Sequence, residues 1–172
     1  MALIKTVRGK TPKFGDNLYI SENATVIGDV TIGNDCSIWF NAVVRGDVNS
    51  ITIGNKVNIQ DGAVVHCTYE KHPTILGDNV SVGHNTLIHG CDIKSNVLVG
   101  MGAIVMDGVI IESNVIIAAG AVVLQGTHIE SGAVWAGVPA KKVKDLSEEL
   151  LNGQINRIAE NYLFYSDWYK EE

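Results

Sequence analysis

Basic runs, long apolar stretches and proline are what this chain has least of. With a formal net charge of −6 and no cluster of Lys or Arg, nucleic acid and anionic membrane surfaces are poor partners. No uninterrupted apolar run approaches the roughly 20 residues that cross a bilayer. The opening MALIKTVRGK is too short and too charged to read as a secretory signal. Cysteine is scarce as well. Cys36, Cys67 and Cys91 are odd in number and follow no C-x-x-C spacing, which reads as reduced thiols in a cytoplasmic protein. Only 3 prolines occur, against 18 glycines, a balance that points to many tight turns. Hydrophobic residues make up 46% and charged residues 19% of the 172, so a packed core is expected and disorder is not.

An aliphatic residue recurs every six positions. Ile20, Val26, Ile32, Ile38 and Val44 open the series. Ile53, Ile59 and Val65 follow a short insertion, and Leu76, Val82 and Ile88 a longer one. After one residue is dropped, the rest run Ile93, Val99, Val105, Ile111, Ile117, Val123, Ile129 and Trp135. Four residues after each aliphatic, the side chain is nearly always small or β-branched, as at Ala24, Cys36, Ala63 and Ala103. Tyr69 and Asp92 break that rule. A period of six with two inward positions excludes an α-helix and suits very short strands with a corner after each. Three such sides close a triangular coil of 18 residues, and stacked coils pair their backbones at about 4.8 Å. The expected fold is an all-β solenoid, a parallel β-helix, over residues 20–140, with residues 1–19 as an N-terminal cap. From Ser147 the period becomes 3.6, with Leu150, Leu151, Ile155, Ile158, Tyr162 and Tyr165 on one face. Residues 141–172 therefore read as a linker and a C-terminal α-helix packed on the prism, N-capped by Ser147.

The repeat also places the histidines. His66 follows Val65 and His89 follows Ile88, one coil apart on the same side, so they stack at outward positions a suitable distance apart for one ion. His84 stands two residues after Val82, on another side near a corner. A neighbouring chain in a three-fold ring could bring it to the other two, which suggests a homotrimer with a metal at each interface. Three imidazoles leave a fourth position open, as in catalytic zinc sites. A lone outward histidine is ordinarily a surface residue; two in register with a third in Gly83-His84-Asn85 read as metal ligands. Counted the same way, Arg45 lies one coil before His66 and Asp61 one coil before His84, so these two should also meet across the subunit boundary. Gln60 and Asn58 lie next to Asp61, and Asp47 follows Arg45 by two. Cys36 reads as core, Cys67 and Cys91 as neighbours of the ligands, and His128 as surface.

Ile32-Gly33-Asn34-Asp35-Cys36-Ser37 and Val99-Gly100-Met101-Gly102-Ala103-Ile104 resemble the hexapeptide-repeat motif, and that resemblance implies a left-handed coil. Val44-Arg45-Gly46-Asp47, Asn58-Ile59-Gln60-Asp61, His66, Gly83-His84-Asn85 and Ile88-His89-Gly90-Cys91 together resemble the γ-class carbonic anhydrase branch of that family. The resemblance implies reversible hydration of carbon dioxide to bicarbonate in a homotrimer. His66, His84 and His89 would hold Zn²⁺, or Fe²⁺ or Co²⁺. Arg45 and Asp61 would form the inter-subunit salt bridge, supported by Asp47. Gln60 would orient water at the metal and Asn58 would support it. Asn161-Tyr162 resembles a helix segment that reaches the pocket, which makes Tyr162 a further site residue. The segment Gly46-Asp47-Val48-Asn49-Ser50-Ile51 lacks the acidic loop of the archetypal enzymes, and Tyr69 stands where they carry a shuttle Glu; Glu70 and His72 are the nearby substitutes.

Two other readings share the repeat. A coenzyme A-dependent acyl- or acetyltransferase would use one histidine as base and needs no three in register. A non-catalytic scaffold subunit would bind metal without turnover.

Overall fold

The computed structural model describes residues 1–170 and shows a β-solenoid of parallel strands with one C-terminal helix. Three aliphatic ladders run up its inside. The first face stacks Val26, Val44, Val65, Ile88, Val105 and Val123. The second stacks Ile32, Ile53, Leu76, Ile93, Ile111 and Ile129. The third stacks Ile20, Ile38, Ile59, Val82, Val99, Ile117 and Trp135. All but Ile20 and Trp135 are buried in one continuous core. Each ladder residue lies between backbone layers hydrogen-bonded to the coils above and below. Burial and pairing therefore fix the same register.

Irregular coils are absorbed without losing that register. Val44 and Val65 remain paired although their coil has gained residues, and so do Val65 and Ile88 around the excursion at Tyr69–Pro73. Thr74 re-enters fully buried, in line with Val30 and Ile51. The two exceptions to the small-residue rule are explained here. Tyr69 is 53% exposed because it rides on the excursion. Asp92 points outward because the dropped residue moves the inward corner to Cys91, which is 2% exposed. Cys67 and Cys91 thus belong to the core, not to the surroundings of the ligands. Burial pushes the Cys67 thiol up to about 11, and the Cys91 thiol higher still.

One corner shows why the hexads turn where they do. Asp35, Lys56, Asn79, Asn96 and Asn114 all adopt positive φ, between 54° and 60°, a region that asparagine tolerates better than most residues. Asn79 donates to Asn96, and Asn96 to Asn114, along that edge.

Both ends are covered. Leu3–Lys5 and Lys13–Phe14 add parallel strands to Thr25–Ile32. At the other end, residues read as a linker from position 141 belong to an antiparallel strand, Ala140–Asp145, against Ala133–Gly137. The Ser147 hydroxyl accepts from the Leu150 amide and starts the helix. A π-helical turn over Leu151–Asn156 then precedes the α-helix Arg157–Lys170. That turn shifts the facing stripe: Ile155, Ala159 and Ser166 are buried, while Ile158 and Tyr165 are only half-buried.

The ladder predicts a sharp contrast between neighbours. Ile111→Ala removes a fully buried rung and should cost about 2–5 kcal/mol. Ile110→Ala, at 38% exposure, should cost well under half as much. Denaturant midpoints at matched protein concentration check both.

Candidate metal centre

His66 and His89 project outward from the first face because Val65 and Ile88 beside them point in. Their strands pair in register, His89 against His66. The rings lie 5.0 Å apart between centroids, with His66 Nδ1 3.1 Å from His89 Nε2. A tetrahedral ion with bonds of about 2.0–2.1 Å needs its ligand nitrogens roughly 3.3 Å apart. The pair is thus spaced for two ligands of one cation. Each remaining ring nitrogen is held by a carboxylate. His66 Nε2 meets Asp47 Oδ1 at 3.1 Å, and His89 Nδ1 meets Asp107 Oδ1 at 2.8 Å. Arg45 donates to the other oxygen of Asp47 at 2.6 Å, and Thr68 donates to Asp107 at 2.9 Å. Carboxylates behind metal-binding imidazoles fix ring orientation and raise ligand basicity.

The charges fit that task. Burial disfavours protonated His66 and, with the Arg45 guanidinium and His89 nearby, holds its pKa below the ordinary value despite the pull of Asp47. The ring is therefore kept in the neutral form that ligates. Burial opposes ionisation of Asp47 and Asp107. Hydrogen bonds from Arg45 and His66 in the first case, and from His89 and Thr68 in the second, outweigh it and hold both carboxyls below the usual range.

The other expected residues gather at a different edge. His84 sits at the corner after Val82, its Nδ1 2.9 Å from Asp61 Oδ2 and its Nε2 3.3 Å from the Tyr162 hydroxyl. Asn58 and Gln60 are buried under the C-terminal helix. Gln60 donates to Asn58, which donates to Ser81, so the carboxamide of Gln60 is held in place from one side. Burial, and then the Asp61 carboxylate, pushes the Tyr162 hydroxyl up to about 12, so it keeps its proton at neutral pH.

One chain therefore carries two clusters. Arg45, Asp47, His66 and His89 form one; Asn58, Gln60, Asp61, His84 and Tyr162 form the other. Among the described residues of a single chain, no three His, Cys, Asp or Glu side chains converge to hold an ion. Within the chain Arg45 pairs with Asp47, and Asp61 with His84. Asp107, Thr68 and Ser81 were not foreseen. Counting one coil beyond His89 reaches Met106, and Asp107 is the residue after it. The segment 46–51 runs within one continuous strand, Val43–Ile53, and its Asp47 lies against His66.

Comparison with known proteins shows the family. A protein of Methanocaldococcus jannaschii named "Probable carbonic anhydrase" is 54% identical over 87% of this chain and 91% of its own. The chain belongs to the γ-carbonic anhydrase family. The "Bacterial transferase hexapeptide (six repeats)" family matches residues 11–46 and 90–125. "Gamma carbonic anhydrase 2, mitochondrial" of Arabidopsis thaliana is 43% identical over 93% of this chain, which spans 59% of that protein. The crystal structure of a hexapeptide transferase family protein from Anaplasma phagocytophilum superposes with a TM-score of 0.92 at 39% identity, over 97% of this chain and 98% of that one. Membership of the γ-carbonic anhydrase family implies a metal cofactor, and the paired, carboxylate-backed imidazoles fit one.

Asp107 would bear on a bound metal only through His89. Asp107→Asn should weaken metal affinity by about 10–100-fold while leaving the unfolding midpoint of the metal-free protein nearly unchanged. Competition with a chromogenic chelator measures the first and thermal unfolding the second.

Proposed function

We propose that this protein catalyses the reversible hydration of carbon dioxide to bicarbonate at the interfaces of a homotrimer. Each site would take His66 and His89 from one chain and His84 from the next. The observation that carries the reading is the in-register pair His66–His89, with nitrogens 3.1 Å apart and each outer nitrogen on a carboxylate. The all-imidazole set suits Zn²⁺, with Fe²⁺ or Co²⁺ as chemically similar occupants.

The prism offers one face for such assembly. The third face is covered by the helix, through Leu98, Ile116 and Val134 against Ile155. The second presents Thr31, Thr52, Asp92 and His128 outward, and these polar residues separate its exposed Ile75 and Ile110. The first presents Val43, Val64, Leu87, Ile104 and Val122 in a continuous outward row beside His66 and His89. Met106 and Leu124, 37% and 49% exposed, extend it. An uncovered apolar strip of this kind marks an interaction surface. A head-to-tail contact that closes after three copies would set one chain's His84 corner against the next chain's His66 and His89. The same contact would bring Asp61 to Arg45 of the neighbour, where a bidentate pair would fix the register.

When bound, the cation supplies Lewis-acid chemistry that makes hydroxide available from water near neutral pH. The chain's own residues do the rest. Asp47 and Asp107 orient the two rings. Asn58 holds Gln60 so that its carboxamide faces the substrate end of the site. Tyr162, protonated at neutral pH, offers an O–H to a substrate oxygen beside His84. The buried, unpaired thiols Cys36, Cys67 and Cys91 support a cytoplasmic setting. No helix among the described residues is long and apolar enough to cross a membrane.

His84→Ala tests the reading directly. It should empty every site and abolish hydration although His66 and His89 remain. Elemental analysis of reconstituted protein and a stopped-flow indicator assay on the same sample measure this. Wild-type protein that takes up no metal, or His84→Ala that keeps full occupancy, would contradict it. Metal-loaded trimer without hydration would point to a scaffold role.

A further inference from the structure

A groove of about 350 Å³ lies between the C-terminal helix and the third face, and His84 stands at its end. Its floor follows from the repeat. The residues one past successive rungs of that face are Trp39, Gln60, Gly83, Gly100 and Ala118. Two large side chains are followed by two absent ones and a methyl group. From Gly83 to Ala118 the floor spans two coil steps, about 10 Å.

The glycines cannot refill the space. A Cβ on Gly83 would lie 2.7 Å from the Met101 amide nitrogen, and one on Gly100 2.5 Å from that of Ala119. Close stacking of the coils thus requires the same absence that opens the groove. Leu98, Ile116 and Met101 form the sides, and Ile158 lies on the helix above. The lining contains no Lys, Arg, Asp or Glu. Apart from Gln154 on the helix, its polar side chains are gathered at the His84 end. There the Tyr162 hydroxyl lies 3.3 Å from His84 Nε2, and Gln60 uses its amide nitrogen on Asn58, which leaves one of its two N–H groups free.

We infer that this groove binds a short unbranched aliphatic carboxylate, its head at Gln60, His84 and Tyr162 and its chain laid over Gly83 and Gly100 toward Ala118. The placement of the head rests on the proposed function, because bicarbonate would present its own carboxylate group there. The placement of the chain rests on the groove alone: a narrow, uncharged channel with polar groups at one end fits a molecule of that polarity.

Calorimetric titration of the full-length, metal-reconstituted protein with acetate, butanoate and hexanoate tests the inference. Affinity should rise by up to about fourfold per added methylene. Ala118→Trp should bind acetate as the wild type does but gain nothing from the longer chains. Ala119→Leu, at an exposed position on the rim, provides a milder block should the tryptophan variant fail to fold. Affinity independent of chain length in the wild type, or a full chain-length gain in both variants, would overturn the inference. Intact hydration with no chain-length gain would count against the groove alone. A chain-length gain in protein that neither holds metal nor hydrates carbon dioxide would count against the proposed function alone.

Discussion

Everything at the candidate centre depends on the backbone pairing of one coil with the next. That ladder holds His89 directly against His66 although a surface excursion intervenes between them. Parallel strands set neighbouring side chains of one face about 4.8 Å apart, close to what two ligands of one ion require. The solenoid thus sets the spacing of the pair through its main chain, and side-chain packing only refines it. Slippage by one residue would turn both rings into the core and Val65 and Ile88 out of it. The aliphatic ladder forbids this, because it is buried along nearly its whole length.

Electrostatics completes what register begins. Each imidazole meets its stacked partner on one side and a carboxylate on the other. Those carboxylates are themselves anchored, by Arg45 and by Thr68. Burial keeps His66 neutral, and its hydrogen-bond partners keep Asp47 charged. The cluster around His84 is built differently. Asn58, Gln60 and Ser81 form a neutral buried network under a helix, and the same helix delivers Tyr162. The C-terminal helix therefore has two tasks: it covers one apolar face of the prism and roofs the His84 edge.

Much of this was legible in the hexads. Ile20 to Trp135 named every rung of the third face, and counting coils paired His66 with His89 across the excursion. The same counting put His84 on another side, and it sits at the corner after Val82 with Asp61 and Tyr162. What escaped the pattern has physical causes. The residue dropped before Ile93 rotated Asp92 outward and Cys91 inward, so a fixed offset of four misread both. Asp107 comes from a coil beyond the histidines and reaches His89 only because its turn brings the carboxylate back along the face. The π-helical turn shifted the stripe of the C-terminal helix, which a strict period of 3.6 does not anticipate. The strand Ala140–Asp145 pairs antiparallel with the last coil, and nothing in a six-residue parallel repeat signals it.

The central claim is that each metal site is divided between two chains, and subunit mixing tests it most directly. His66→Ala chains and His84→Ala chains, each expected to bind no metal, are unfolded together, refolded as mixed trimers and analysed for bound metal and carbon dioxide hydration. Every mixed trimer contains one interface at which an intact His66–His89 pair faces an intact His84. The account predicts that metal and activity reappear at that interface, up to one site per mixed trimer. Sites confined to single chains would stay empty in every mixture, and that result would contradict it.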